Sequence, residues 1–188
     1  MGQHRHRGSW RLINRGMYAE YMPPEQRDNP IVQDVHRLAR CAAHPEIVWC
    51  QHHNGVFRSE DAGVTWREVT VIRPSKFGFA VAAHPVDPDT AWFVPAIKDE
   101  RRIPVDGKVV VARTRDGGHS FEVLQHGLPQ HHAYDLVWRH GLAVDKTGER
   151  LAIGSTSGGL WISEDGGDSW TMPEARLPPV AVVRFPPV

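Results

Sequence analysis

The chain has 188 residues, 40% hydrophobic and 23% charged, a globular mixture large enough for one domain with a core. Lys plus Arg and Asp plus Glu number 22 each, so no global field favours nucleic acid or an anionic membrane surface. No apolar run approaches the roughly 20 residues of a membrane helix, and no apolar stretch follows the basic N-terminus to make a leader. The default expectation is a cytoplasmic protein with neither membrane nor nucleic-acid partners.

Residues 1–9 are basic and contain histidine, and 10–14 (Trp-Arg-Leu-Ile-Asn) read as a short strand. Residues 15–34, with Gly16, Pro23, Pro24, Asp28, Asn29 and Pro30, read as a long loop. Alternation and turn signals then predict strands near 35–43, 47–52, 55–60 and 66–70. A second set falls near 78–84, 91–96, 108–114 and 121–125, and a third near 135–144, 150–155, 159–163 and 169–172. One more strand is expected over 180–185. With 17 Gly and 15 Pro, few windows of helical length escape a breaker, and no helix is expected.

One short phrase recurs between the third and fourth strands of each set: Ser/Thr-x-Asp-x-Gly-x-x-aromatic. Its copies are Ser59, Asp61, Gly63 and Trp66; Thr114, Asp116, Gly118 and Phe121; and Ser163, Asp165, Gly167 and Trp170. They start 55 and then 49 residues apart, which suits one four-stranded sheet per copy and is too long for a hairpin or a helical repeat. The expected fold class is therefore all-β, a β-propeller fragment forming a single partial domain over 1–188. Blades are expected over 35–70, 78–125 and 135–172, with 10–14 ending a preceding blade and 180–185 starting a further one. Within the box, Asp and Ser/Thr satisfy backbone N–H groups and Gly supplies a positive φ, so it is a folding clasp. A calcium loop at Glu164, Asp165 and Asp168 is the alternative, but the other copies lack the extra acid and calcium needs six to eight oxygens.

The two cysteines, Cys41 and Cys50, are too few for a disulfide framework and read as buried thiols. If 35–44 and 47–52 form a hairpin, the pair lies nearly opposite on adjacent strands. A cross-strand disulfide or a metal pair then stands as the alternative.

The box resembles the Asp box of the bacterial neuraminidase repeat, found in sialidases and sortilin-type propellers. The wider text is similar to a bacterial group of sialidase-like repeat proteins, also described as WD40/YVTN-like and labelled glycosyl hydrolases. The stretches that carry this are Asp34-Val35-His36-Arg37, His52-His53-Asn54-Gly55-Val56-Phe57-Arg58, Phe77-Gly78-Phe79, Lys98-Asp99-Glu100-Arg101-Arg102-Ile103-Pro104 and Tyr134-Asp135-Leu136-Val137-Trp138-Arg139-His140. The resemblance implies a glycosyl hydrolase of the hydrolase class, and a chain that corresponds to the C-terminal half of a complete ring. Open blade flanks would then favour self-association or pairing with an N-terminal half. Sialidases carry one arginine of their triad in a Phe/Tyr-Arg-Ile-Pro motif. Here Arg101 occupies the aromatic position and the segment follows the first box, so sialidase catalysis is not carried over.

If first strands run from top to bottom, the boxes lie at the bottom and the polar residues left over gather at the top, where a propeller offers a concave site. Ligand-binding candidates there are His36, Arg37, His52, His53, Asn54, Arg101, Arg102, His131 and Tyr134, with Asp34, Phe77, Phe79 and His132 beside them. The run Lys98–Arg102 is either a solvated charged turn or a clamp for an anionic ligand. Asp99, Glu100 and Asp135 are the catalytic candidates, because glycoside hydrolysis needs two carboxylates flanking the sugar. No metal and no cofactor is assigned, although imidazoles at His36, His52, His53, His131 or His132 would bind an ion if they converged. Trp49, Trp92, Trp138 and Trp161 read as inter-blade packing. Two functions remain open: a glycoside hydrolase with a top-face site for a carbohydrate or small anionic ligand, and a non-catalytic platform for a ligand or protein.

Overall fold

A computed structural model describes residues 12–186. They form an all-β propeller architecture of antiparallel sheets, with three single-turn 3-10 segments and no α-helix. The first sheet has the order β1 (Val35–Arg40), β2 (Val48–His52), β3 (Gly55–Ser59), β4 (Arg67–Val69); the second, β5 (Gly78–Ala83), β6 (Ala91–Pro95), β7 (Val111–Thr114), β8 (Glu122–Leu124). The third contains β9 (Leu142–Val144), β10 (Leu151–Gly154) and β11 (Leu160–Ser163), and a single bridge from Ile162 to Thr171 stands where a fourth strand is expected.

Four expectations need correction at this level. Regular pairing in the third sheet begins at 142 instead of 135, because Gly141 N–H bonds the Trp138 carbonyl (2.8 Å) and this turn interrupts the inner strand. The fourth strand near 169–172 is reduced to the Thr171 bridge. Residues 10–11 of the first expected strand lie outside the described residues, and 12–14 pair with nothing; Arg15 instead bridges Thr65 in parallel. Over 180–185 there is no strand, only a parallel bridge from Val182 to His140.

The blades are held face to face by apolar clusters. Trp49, Ile72, Val81 and Phe93 fill the space between the first two sheets, and Trp92, Val111, Leu142, Ile153, Trp161 and Trp170 the space between the second and third. A third cluster, Met17 with Val48, Cys50, Phe57 and Trp66, covers the outer face of the first sheet with a segment read as loop. The cysteines fall on opposite faces: Leu38 pairs with Cys50, and Cys41 lies an odd number of residues beyond Leu38. Cys41 belongs to the inter-blade cluster and Cys50 to the outer one, and both are free thiols, so the cross-strand pairing is corrected.

All three boxes close the same way. Ser59, Thr114 and Ser163 each donate to their own Asp and accept from the N–H of Gly63 (2.8 Å), Gly118 (2.9 Å) and Gly167 (2.8 Å). Each Asp in turn accepts from the backbone and hydroxyl of Thr65, Ser120 or Ser169, a hydroxyl position that the sequence pattern left undefined. These bonds lower the pKa values of the box carboxyls. Thr65 holds Asp61 down and Ser120 holds Asp116 down; burial pushes Asp165 up, yet the bonds from Ser169 and Ser163 outweigh it and bring the carboxyl to about 2. Two successive residues in each box take positive φ: Ala62 and Gly63, Gly117 and Gly118, Gly166 and Gly167.

The box also fixes the polarity of each blade. Ala62, Gly117 and Gly166 donate to the carbonyls of Glu46, Asp89 and Glu149, so every box joins the turn between the first and second strands of its own sheet. Neighbouring blades grip it too. The buried Arg58 bonds Asp89 (2.6 Å) of the second blade, and Arg113 bonds the Gly166 carbonyl (2.8 Å) and Asp168 (2.7 Å) of the third. The opposite ends of the inner strands are thereby left to form a mouth.

Candidate functional site

The mouth is shaped by two β-bulges at the starts of the inner strands. Val35 pairs with His52 and Arg37 with Gln51, leaving His36 as the extra residue of β1; between Gly78 and Val81, β5 carries one residue more than β6. A bulge re-aims a side chain without disturbing the ladder beyond it. The rings of His36 and Phe79, one from each irregularity, stack at 4.4 Å between centroids with 16° between planes.

Around this pair several chain segments converge. His36 is buried, and its Nδ1–H donates to the Gly78 carbonyl at 2.7 Å. Its Nε2 lies 3.6 Å from Asp34 Oδ2, and His53 Nδ1 lies 3.2 Å from the same oxygen. The backbone ties the last two together, since His53 N–H donates to the Asp34 carbonyl at 2.9 Å. Phe77 meets His36, His53 and Phe79 edge-on, and Tyr21 meets His53 in the same manner at 4.8 Å. The guanidinium carbons of Arg102 and Arg139 sit 5.4 and 5.3 Å from the Phe79 ring centroid.

Burial lowers the His36 pKa against the opposing pull of the Gly78 carbonyl and Asp34. His52 is fully buried, and desolvation carries it down to about 4; both imidazoles are neutral at pH 7. His52 Nδ1 accepts from Asn54 N–H (3.4 Å), which puts the ring proton on Nε2, where it has no partner among the described residues. The buried Asn54 Oδ1 accepts from Glu20 N–H, and its Nδ2 is also unpartnered.

The expected residues separate into three places. His53 and Asn54 share a cavity of about 390 Å³ with Tyr21, Lys76, Asp99 and Glu100. Asp99 accepts from Arg102 Nε at 3.0 Å, and Glu100, lowered by its own backbone N–H and by Lys98, is an anion and no proton donor. Asp135 lies apart, in a cavity of about 560 Å³ with His132, Tyr134 and Trp161, where Ser155 (2.8 Å) and Ser157 donate to it. Arg37 turns down into the central channel, a space of about 540 Å³, where it meets His140 beside Arg40 and Arg184. His131, Tyr134 and Arg101 are exposed; Arg101 N–H closes the 98–101 turn on the Lys98 carbonyl. Tyr21 and Arg139 were not among the expected site residues, although Arg139 lies in a stretch that carries the family resemblance. Tyr21 lies in a stretch with loop composition, and Arg139 reaches Phe79 only because the 138–141 turn breaks the predicted strand.

No protein-family model matches the sequence, and no curated protein matches it. Solved structures do. A GH74 xyloglucanase from Xanthomonas campestris superposes with a TM-score of 0.55 and 21% identity over 87% of this chain and 22% of the enzyme. An ancestral GH74 enzyme gives 0.53 and 15% identity over 73% of this chain and 18% of that one. YCF48 bound to the D1 peptide gives 0.52 and 17% identity over 77% and 43%. The chain thus spans about a fifth of the GH74 enzymes and under half of YCF48. At these identities the likeness is one of fold, and the fold is a β-propeller.

Proposed function

We propose that the chain is an Asp-box repeat propeller of the sialidase-like type whose mouth binds a carboxylate-bearing carbohydrate or a similar small anionic ligand. The observation that carries this reading is the stack of His36 on Phe79 with Arg102 and Arg139 beside it. It combines an apolar surface for a sugar face with two guanidinium groups suited to bidentate contact with a carboxylate. The box chemistry supports the Asp-box assignment, because the Ser/Thr, Asp and Gly positions each have a bonding role in all three copies. Calorimetry with sialyllactose and oligogalacturonate, beside neutral xyloglucan oligosaccharides, tests the reading. Acidic sugars are expected to bind, and Arg102→Ala to weaken them about tenfold while changing stability by less than about 1 kcal/mol, since the Arg102–Asp99 pair is solvent-exposed. No binding of any acidic sugar sinks it.

The fold likeness to GH74 enzymes favours a second reading, glycoside hydrolysis at the same mouth. Its carboxylates would be Asp34, beside His36, and Asp99, held by Arg102. Chromogenic glycosides incubated with the wild-type chain and with Asp34→Ala and Asp99→Ala separate the two. A platform turns over none of them, whereas a hydrolase loses its turnover in both variants.

A further inference from the structure

We infer that Asp34, His36 and His53 form a binding site for a divalent first-row transition metal such as zinc. Their ligand atoms all lie within 4.8 Å of one another. Two imidazoles and one carboxylate are the donor types zinc takes, and metal–ligand bonds of about 2.0–2.2 Å arranged tetrahedrally place donor atoms about 3.3 Å apart. The separations from Asp34 Oδ2, 3.2 Å to His53 Nδ1 and 3.6 Å to His36 Nε2, match that edge.

The support around the ligands distinguishes this set from an ordinary ion pair. A metal-binding imidazole typically donates its other ring N–H to a carbonyl or carboxylate, which fixes both tautomer and ring plane. His36 does this through Nδ1–H to the Gly78 carbonyl, leaving the Nε2 lone pair aimed at the Asp34 side. The ring is further clamped by Phe79 on its face and Phe77 at its edge. Asp34 and His53 are held in register by their backbone bond. Asp34 is half exposed, so three protein donors leave the mouth side open for a water or an oxygen of a bound ligand. This extends the ligand-binding mouth proposed above without depending on it, because the ion can be measured with no sugar present.

The test is zinc calorimetry and cobalt absorption on the full chain with His4 and His6 replaced by glutamine in every protein, so that the N-terminal histidines contribute nothing. One equivalent of zinc is expected, with cobalt giving the intense visible bands of a four-coordinate site. His53→Ala and Asp34→Asn, partly and well exposed positions, are expected to weaken zinc at least about tenfold with an unchanged circular dichroism spectrum. His36→Gln serves as a third variant, read only if it melts cooperatively. Absence of zinc uptake by the parent protein overturns the inference, as does uptake unaltered in both His53→Ala and Asp34→Asn.

Discussion

The two ends of the blades are built on opposite principles. At the box end, the side chains of each box find their partners within a few residues: the hydroxyl, the carboxylate and the glycine N–H of one box satisfy one another, and the same set of bonds appears three times. At the mouth, His36 depends on Gly78, Asp34 on His53, and Phe79 on Arg102 and Arg139, all contacts across blades or loops. Among the described residues the mouth keeps His52 Nε2 and Asn54 Nδ2 buried without partners, and the box end keeps Arg58 Nε in the same condition. Buried polar groups of that kind are costly. Locally closed structure belongs to the clasp, and structure closed only by tertiary contacts to the mouth.

The contrast can be broken most severely at a box glycine. Gly118 has φ +88°, and an added Cβ would come within 3.0 Å of Val69 and 3.3 Å of Trp49. Gly118→Ala is expected to lose about 2–4 kcal/mol of stability, from backbone strain plus overpacking between the first two blades. Urea denaturation reads it, and a loss under about 1 kcal/mol would mean that the clasp is dispensable. A smaller effect isolates the carboxylate. Because Asp165 is depressed from its ordinary value of 3.8 to about 2, its ionised form stabilises the fold above pH 3.8, and that contribution disappears as the pH falls toward 2. Asp165→Asn is accordingly expected to cost about 1 kcal/mol at neutral pH, discounted for its solvent exposure, and the difference from wild type to close as the pH falls to about 2. A difference that stays constant with pH would count against the charge.

The smallest effect has the opposite sign. Ala62 occupies a left-handed position, φ +59°, that the other two boxes give to Gly117 and Gly166. Ala62→Gly is expected to gain about 0.5–1 kcal/mol, the relief of left-handed strain less the entropy of a freer unfolded chain. A melting temperature unchanged or lowered would show that the first box has adapted to alanine.

A related asymmetry lies in the connections that precede the blades. Trp66 N–H bonds the Arg15 carbonyl and Trp170 N–H the His126 carbonyl, and beside them Gly16 and Gly127 approach the same tryptophan carbonyls so closely that a Cβ would lie 2.1 and 1.9 Å away. Arg15-Gly16-Met17 and His126-Gly127-Leu128 are thus one recurring element that docks the entry of a blade onto its own outer strand. Its sequence trace was present in residues read only as loop, because a two-residue likeness carries weight only once the facing tryptophan is known.

What the amino-acid sequence by itself determined was whatever short-range chemistry decides. Alternation located the strands of the first two sheets, Pro and Gly predicted the lack of α-helix, and the spacing of Ser/Thr, Asp and Gly identified the clasp, since its side-chain bonds close within eight residues. The seventh box position, Thr65, Ser120 or Ser169, was legible in the same way and was passed over. Tertiary structure alone decided the mouth. A bulge turned His36 toward Phe79, a turn at 138–141 brought Arg139 over the same ring, and the segment at 17–21 delivered Tyr21 to His53. It also sent Arg37 into the channel and put Asp135 in a different cavity from Asp99 and Glu100. Pairing distance is the physical reason: a turn is specified by neighbours along the chain, whereas the mouth is specified by the one-residue register of two bulged strands and by how three blades pack.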